Sequence, residues 1–126
     1  MPAFFMEAMQ AATPSTPVSP VEAEVLRIRG LIEGKQVSAA LVAAEALAAT
    51  VPENRDVLYM KAVSLRFLNR IQDALTVLDR MQRLHPGFSR LYQERGNCFV
   101  ALRDAPRAID AFLNAVNLNP ALPASW

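Results

Sequence analysis

The sequence predicts an all-α fold, built as a stack of helix-turn-helix repeats. Three observations carry that prediction. Pro52, Pro86 and Pro120 are each 34 residues apart. In the same register Ala40, Ala74 and Ala108 form one column, and Leu41, Leu75 and Ile109 form the next. Each period also holds two helical patterns joined by a short polar turn, with the proline following the second.

Counting back from each proline gives registers 21–54, 55–88 and 89–122. Further columns agree. Leu31, Leu65 and Phe99 share the eleventh position; Ile28, Ala62 and Gly96 share the eighth. Ala44, Leu78 and Phe112 share the twenty-fourth, and Thr50, Leu84 and Leu118 the thirtieth. Small residues such as Ala62, Gly96 and the three alanines let two antiparallel helices approach closely, and large residues at the eleventh and twenty-fourth positions fill the space beside them. The turns are Gly34-Lys35-Gln36, Asn69-Arg70 and Arg103-Asp104. Pro106 falls in the first turn of a helix, where its missing donor is harmless. The expected helices are 21–33, 37–50, 55–68, 71–84, 89–102 and 105–118.

These residues resemble the tetratricopeptide repeat family across 21–122. The third register matches most closely: Tyr92, Gly96, Phe99, Ala108, Phe112, Ala115 and Pro120 sit where the family pattern has an aromatic, Gly, an aromatic, Ala, an aromatic, Ala and Pro. The second register keeps Leu58, Ala62, Leu65, Ala74, Leu78 and Pro86. The first departs from the pattern, with Glu24 and Ile28 at the aromatic and small positions, which suits a terminal repeat. Arg27, Lys61 and Arg95 stand at the seventh position, where Leu is usual. The resemblance implies a right-handed superhelical stack whose concave side is lined by the first helix of each repeat.

The two ends depart from the period. In 1–20, a Pro/Ser/Thr linker beginning at Thr13 follows a short apolar segment with Phe4, Phe5, Met6 and Met9, whose one charge is Glu7. Two readings stand side by side: a floppy or incidentally docked tail, or a mobile peptide that occupies a groove, its own or a neighbour's, as an amphipathic helix. At the other end Trp126 falls at the fourth position of a next register. Residues 123–126 therefore read as the start of a truncated fourth repeat. An uncapped last helix pair would expose apolar surface and favour self-association.

Composition narrows the function classes. Of the 126 residues, 52% are hydrophobic and 20% charged, as in globular proteins. The net charge of +1 gives no case for nucleic acid, and aromatic and basic residues are not interleaved. Residues 1–54 carry three basic and six acidic side chains; 55–126 carry ten and six, which suits an acidic partner for the second half. Eleven of the thirteen basic residues are Arg, the side chain that forks carboxylates; composition bias accounts for the same count. No basic flank precedes Phe4, and no apolar run is long enough for a membrane span, so no membrane association and a cytoplasmic location are expected.

No catalytic, cofactor or metal motif is present. His85 is the only histidine and reads as a solvated helix-end residue. Cys98 is the only cysteine and reads as buried packing. Glu22, Glu24 and Asp56 are ordinary carboxylates of helix N-termini. Function is therefore expected from surface: a protein or peptide held in the concave groove. By the resemblance, the groove positions are Glu22, Val25, Arg29, Ile32 and Glu33; Asp56, Tyr59, Val63, Arg66 and Phe67; and Arg90, Gln93, Asn97, Val100 and Ala101. Tyr59, Arg66 and Phe67 carry the greatest weight, with Arg66 expected to fork a partner's carboxylate. One subclass of the family clamps the C-terminal carboxylate of heat-shock chaperones. Its clamp positions correspond to Val25, Arg29, Met60, Arg90 and Glu94; only Arg90 fits the charge pattern, and Glu94 would repel the carboxylate, so that specificity is set aside. The rival reading is an N-terminal repeat array of a larger bacterial enzyme, such as a sulfotransferase or glycosyltransferase, with its catalytic domain beyond Trp126.

Overall fold

Six α-helices form among residues 19–121, which are the residues the computed structural model of the chain describes. They are α1 (Pro20–Glu33), α2 (Val37–Thr50), α3 (Arg55–Phe67), α4 (Ile71–Leu84), α5 (Ser89–Ala101) and α6 (Ala105–Leu118). No strand occurs among the described residues. The apolar N-terminal segment and Trp126 lie outside them.

The helix starts follow from local chemistry. The Ser19 side chain accepts the Glu22 backbone N–H at 3.1 Å, and Pro20 opens α1 with a φ already suited to a helix. Ser19 and Pro20 are therefore cap and first helical residue, which corrects the linker boundary at residue 20. Asn54 Oδ1 accepts the N–H groups of Asp56 and Val57 at 3.0 and 3.1 Å. The Asp104 carboxylate accepts the N–H of Arg107 at 3.3 Å.

The helix ends repeat with the same period. After α1, α3 and α5 the chain makes one tight turn three times. Lys35, Asn69 and Arg103 adopt φ of 63°, 63° and 58°, the left-handed region. The N–H groups of Gln36, Arg70 and Asp104 return to the carbonyls of Leu31, Leu65 and Phe99, each at 2.8 Å. This is the double-bonded turn that satisfies the last carbonyls of a helix and usually employs glycine. Gly34 stands one residue too early for that role, with φ −80°. After α2, α4 and α6 the chain stops differently. Val51, His85 and Asn119 each precede a proline, whose ring drives the preceding residue out of the helical region. Their φ values are −132°, −137° and −146°.

Each helix packs against the next, and α1 approaches α3 and α3 approaches α5, whereas the backbones of α2, α4 and α6 stay apart from one another. The stack is thus closed on the side of the first helices and splayed on the side of the second. Ala40, Ala74 and Ala108 are all buried, as is Ala62. At Gly96 the approach is closer still. A Cβ placed there would lie 2.5–2.8 Å from three carbons of the Phe112 ring. The absent side chain is what seats that ring on α5. At the twenty-first position the column divides: Leu41 is buried, but Ile109 is 57% exposed, because no further helix packs on α6 among the described residues. Leu113 and Leu118 are exposed on the same helix.

Polar links join successive helix pairs. Arg95 of α5 reaches Asp79 at 3.0 Å and Gln82 at 2.7 Å on α4, which explains a cation at a position where Leu is usual. Tyr92 donates its hydroxyl to the Pro86 carbonyl at 2.7 Å. His85 is not simply solvated: its Nε2 lies 2.7 Å from the Glu53 carbonyl, across the junction between α2 and α3. Cys98 is a fully buried free thiol, pushed up to about 12 by burial and secondarily by the Glu94 carboxylate.

Candidate functional site

On the closed side of the stack, two clefts of about 420 and 770 Å3 run into each other. They share Arg29, Tyr59, Met60 and Arg90 and so form one groove. Helix α3 forms its floor, α1 one flank, and the start of α5 the other. The periodic folding places these side chains together. Val25, Arg29 and Ile32 recur every three or four residues on α1, as do Asp56, Tyr59, Val63 and Phe67 on α3, so each set shares one helix face.

Ten of the fifteen expected positions line the groove. Glu22, Val25 and Asp56 line the smaller cleft; Ile32, Glu33, Val63 and Phe67 line the larger; Arg29, Tyr59 and Arg90 line both. Phe67 is 56% exposed and presents its ring as open apolar surface. Tyr59 is held from below, its ring edge-on to Phe88 with centroids 5.7 Å apart. Burial, reinforced by the Glu94 carboxylate, raises its phenol above the ordinary value, against a hydrogen bond from Arg90. Among the described residues, neither Arg29 nor Arg90 has a carboxylate within ion-pair distance, so both remain exposed cations facing the groove.

Five expected residues do not line either cleft: Arg66, Gln93, Asn97, Val100 and Ala101. Arg66 departs furthest from expectation. Its guanidinium forks a carboxylate, but that carboxylate is Glu94 of this chain, through Nε to Oε2 and Nη2 to Oε1. Glu94 is only 2% exposed, and Asn97 Nδ2 donates to the same carboxylate at 3.4 Å. Burial raises the Glu94 carboxyl above the usual range, opposed by Arg66 and Asn97. Burial likewise works against the charge on Arg66, yet Glu94 holds its guanidinium above the ordinary value. The pair is a bolt between α3 and α5 beneath the groove. It also cancels the negative charge that Glu94 would otherwise present to an acidic partner.

Several lining residues escaped the sequence reading. Met60 is buried in the floor, and Arg55 and Phe88 frame the groove at the junctions between helix pairs. The guanidinium carbon of Arg55 lies 4.5 Å from the centroid of the Phe88 ring. Met60, interior to α3, was weighed only as a clamp position, and Arg55 and Phe88 sit at helix starts, where junction residues carry no periodic signal of their own. Lys35 and Val37 complete the far end.

Among the described residues no group of three or more His, Cys, Asp or Glu side chains could hold a metal ion. No helix among them is long and apolar enough to cross a membrane.

A tetratricopeptide repeat family model matches residues 25–87 and 59–123. No curated protein matches the sequence. Solved structures are similar in fold. MamA from Desulfovibrio magneticus RS-1 superposes with a TM-score of 0.70 at 19% identity, over 84% of this chain and 60% of that one. The type III secretion translocator chaperone SycD of Yersinia enterocolitica gives 0.75 at 10% identity, over 87% and 83%. The first tetratricopeptide domain of Spaghetti (RPAP3), solved with the HSP90 peptide SRMEEVD, gives 0.72 at 15% identity, over 81% of each chain. The chain spans about three-fifths of the length of the MamA chains it matches.

Proposed function

Because the chain belongs to the tetratricopeptide repeat family, we propose that it is a protein-interaction module that holds a peptide or helix in the groove between α1, α3 and α5. The observation that carries this reading is the groove's composition. Val25, Ile32, Val63 and Phe67 supply apolar surface, and Arg29 and Arg90, which form no ion pair among the described residues, supply two cations beside the carboxylates of Glu22, Glu33 and Asp56 that line the same clefts. A segment with spaced apolar side chains and an acidic residue between them matches that pattern. Arg and aromatic side chains are those most often dominant in interfaces.

The solved relatives support the coarse reading. The RPAP3 domain was captured with a peptide, and SycD is a secretion chaperone. The chaperone-carboxylate specificity is still set aside, now for a different reason. Glu94 is neutralised by Arg66, but Val25 and Met60 are buried apolar side chains at two clamp positions and cannot donate to a carboxylate.

The test is selection of binders from a displayed peptide library, followed by titration of a selected peptide into the parent and into Phe67→Ala and Arg29→Ala. Phe67 and Arg29 are exposed, so their removal leaves the core intact. Each should weaken binding about tenfold or more, the effect of losing an interface hot spot. Equal affinity for all three proteins would overturn the groove assignment.

A further inference from the structure

The described stack ends in two faces, and the repeat register gives each an interior counterpart. At the third, sixth and tenth positions the interior first helices turn toward the preceding pair. Val57 and Met60 pack with the cluster of α1 and α2, and Leu91 and Cys98 with that of α3 and α4. At the matching positions of α1, Ala23, Leu26 and Gly30 are exposed. At the other end Ile109, Leu113 and Val116 share one face of α6, and the first two are half exposed or more.

A polar seam between pairs runs through the seventh and twenty-fifth positions. Arg95 of α5 crosses to Asp79 of α4 at 3.0 Å. The first register carries Glu45 at the position of Asp79, but the third carries Leu113. Helix α6 therefore offers no carboxylate there to a following cation. The matching cation of α1, Arg27, needs none: Glu24 on the same helix takes its guanidinium at 2.7 and 2.8 Å. The interior registers have Leu58 and Tyr92 at the position of Glu24, and neither can do this. The two departures offset each other, since the carboxylate missing from α6 stands on α1 beside the cation. Size is offset in the same sense. Ala23 and Gly30 are smaller than Leu91 and Cys98, and Leu113 and Val116 bring apolar surface where Asp79 and Gln82 are polar.

We propose that the occupant of the α6 face is α1 of a second copy of this chain, so that copies stack head to tail by the seam that already joins α5 to α4. Such a contact is heterologous: it joins two different patches, and copies add in series. One helix seam is small for an interface, which sets the association in the micromolar range or weaker. The concave face then continues from copy to copy. This inference uses other surfaces than the groove and stands apart from the reading above.

The experiment is sedimentation of the full chain from about 10 μM to about 1 mM, where the average mass of the parent is expected to rise at least about twofold. Two variants block one face each. Gly30→Lys fills the α1 face; a Cβ there meets nothing within 4 Å, and lysine is a better helix former than glycine, so the fold is kept. Leu113→Glu puts a carboxylate on the exposed face of α6. Each alone should stay monomeric. Mixed in equal amounts they should form a one-to-one dimer and nothing larger, because one intact α6 face meets one intact α1 face. Adding Glu24→Leu to Leu113→Glu frees Arg27 for the new carboxylate and should restore assembly of the parent kind. A parent that stays monomeric throughout overturns the proposal. So does association that survives Gly30→Lys but not Leu113→Glu, which would mean two α6 faces meeting about a twofold axis. A mixture that stays monomeric, or a rescue that fails, overturns it as well.

Discussion

Replacing Gly96 by alanine puts a methyl group where the Phe112 ring already lies. The added carbon would sit 2.5, 2.7 and 2.8 Å from three ring carbons, whereas carbon atoms in contact prefer about 3.5–4.0 Å. The ring must therefore retreat by about 1 Å. Gly96 and Phe112 are both buried, and α5 and α6 pack along their length, so there is little room to retreat. Overpacking of this kind costs about 1–3 kcal/mol. Against it stands the helix preference of alanine over glycine, about 1 kcal/mol. The net expectation is a loss of about 1 kcal/mol. In urea, followed by circular dichroism at 222 nm, that lowers the midpoint by about 0.5–1 M with an unchanged slope. Phe112→Leu removes the ring edge that collides. In that background Gly96→Ala should no longer destabilise, giving a coupling of at least about 1 kcal/mol between the two sites. If alanine raised the midpoint in the parent, or lowered it equally in both backgrounds, the close approach of ring and backbone would not be what selects glycine.

Three further expectations concern features on the page. Arg66→Ala strands a buried carboxylate and should cost about 3 kcal/mol at neutral pH. Without Arg66 the Glu94 pKa rises further above its unfolded value, so the folded state takes up the proton preferentially and the deficit shrinks as pH falls from 7.5 to 5; equal urea-midpoint deficits at both pH values would refute this. Cys98 should resist thiol reagents at pH 8 until the chain unfolds, and the stability its neutral thiol provides should be complete below about pH 9 and decline as pH rises toward 12; rapid labelling of the native protein would contradict the burial argument. Arg103→Gly relieves a left-handed backbone and should raise stability by up to about 1 kcal/mol, with Asn69→Gly gaining less because asparagine tolerates that region; thermal melts of both variants measure the difference.

The period was legible because each register faces nearly the same packing problem. Three prolines and a column of alanine report the end of one helix and the close approach of two, and the six helices fall within a residue or two of their expected limits. The same period puts the cleft-lining side chains of α1 and α3 on one helix face each, although Arg66 of α3 is turned to Glu94 instead. What stayed hidden were relations between registers. Arg66 and Glu94 are 28 residues apart, and either one alone looks like an available surface charge. Their pairing depends on α5 lying against α3, which no local pattern encodes. His85 was misread likewise, since its partner is a backbone carbonyl 32 residues earlier. The left-handed turns were also obscured. Lys35 and Arg103 occupy positions where glycine would have announced them, and the glycine nearby, Gly34, has a right-handed φ.

The neighbour-only packing of the helices has a kinetic consequence. Among the described helices none touches another more than two places along the chain, so α1 and α5 gain nothing from each other directly. Contacts between residues close in sequence form quickly, because little chain entropy is lost in closing short loops. The middle of the array can then exist while its outermost helices are open. Amide hydrogens of α3 and α4, flanked on both sides, should exchange with solvent through nearly global opening, and those of α1 and α6 through detachment of a single helix.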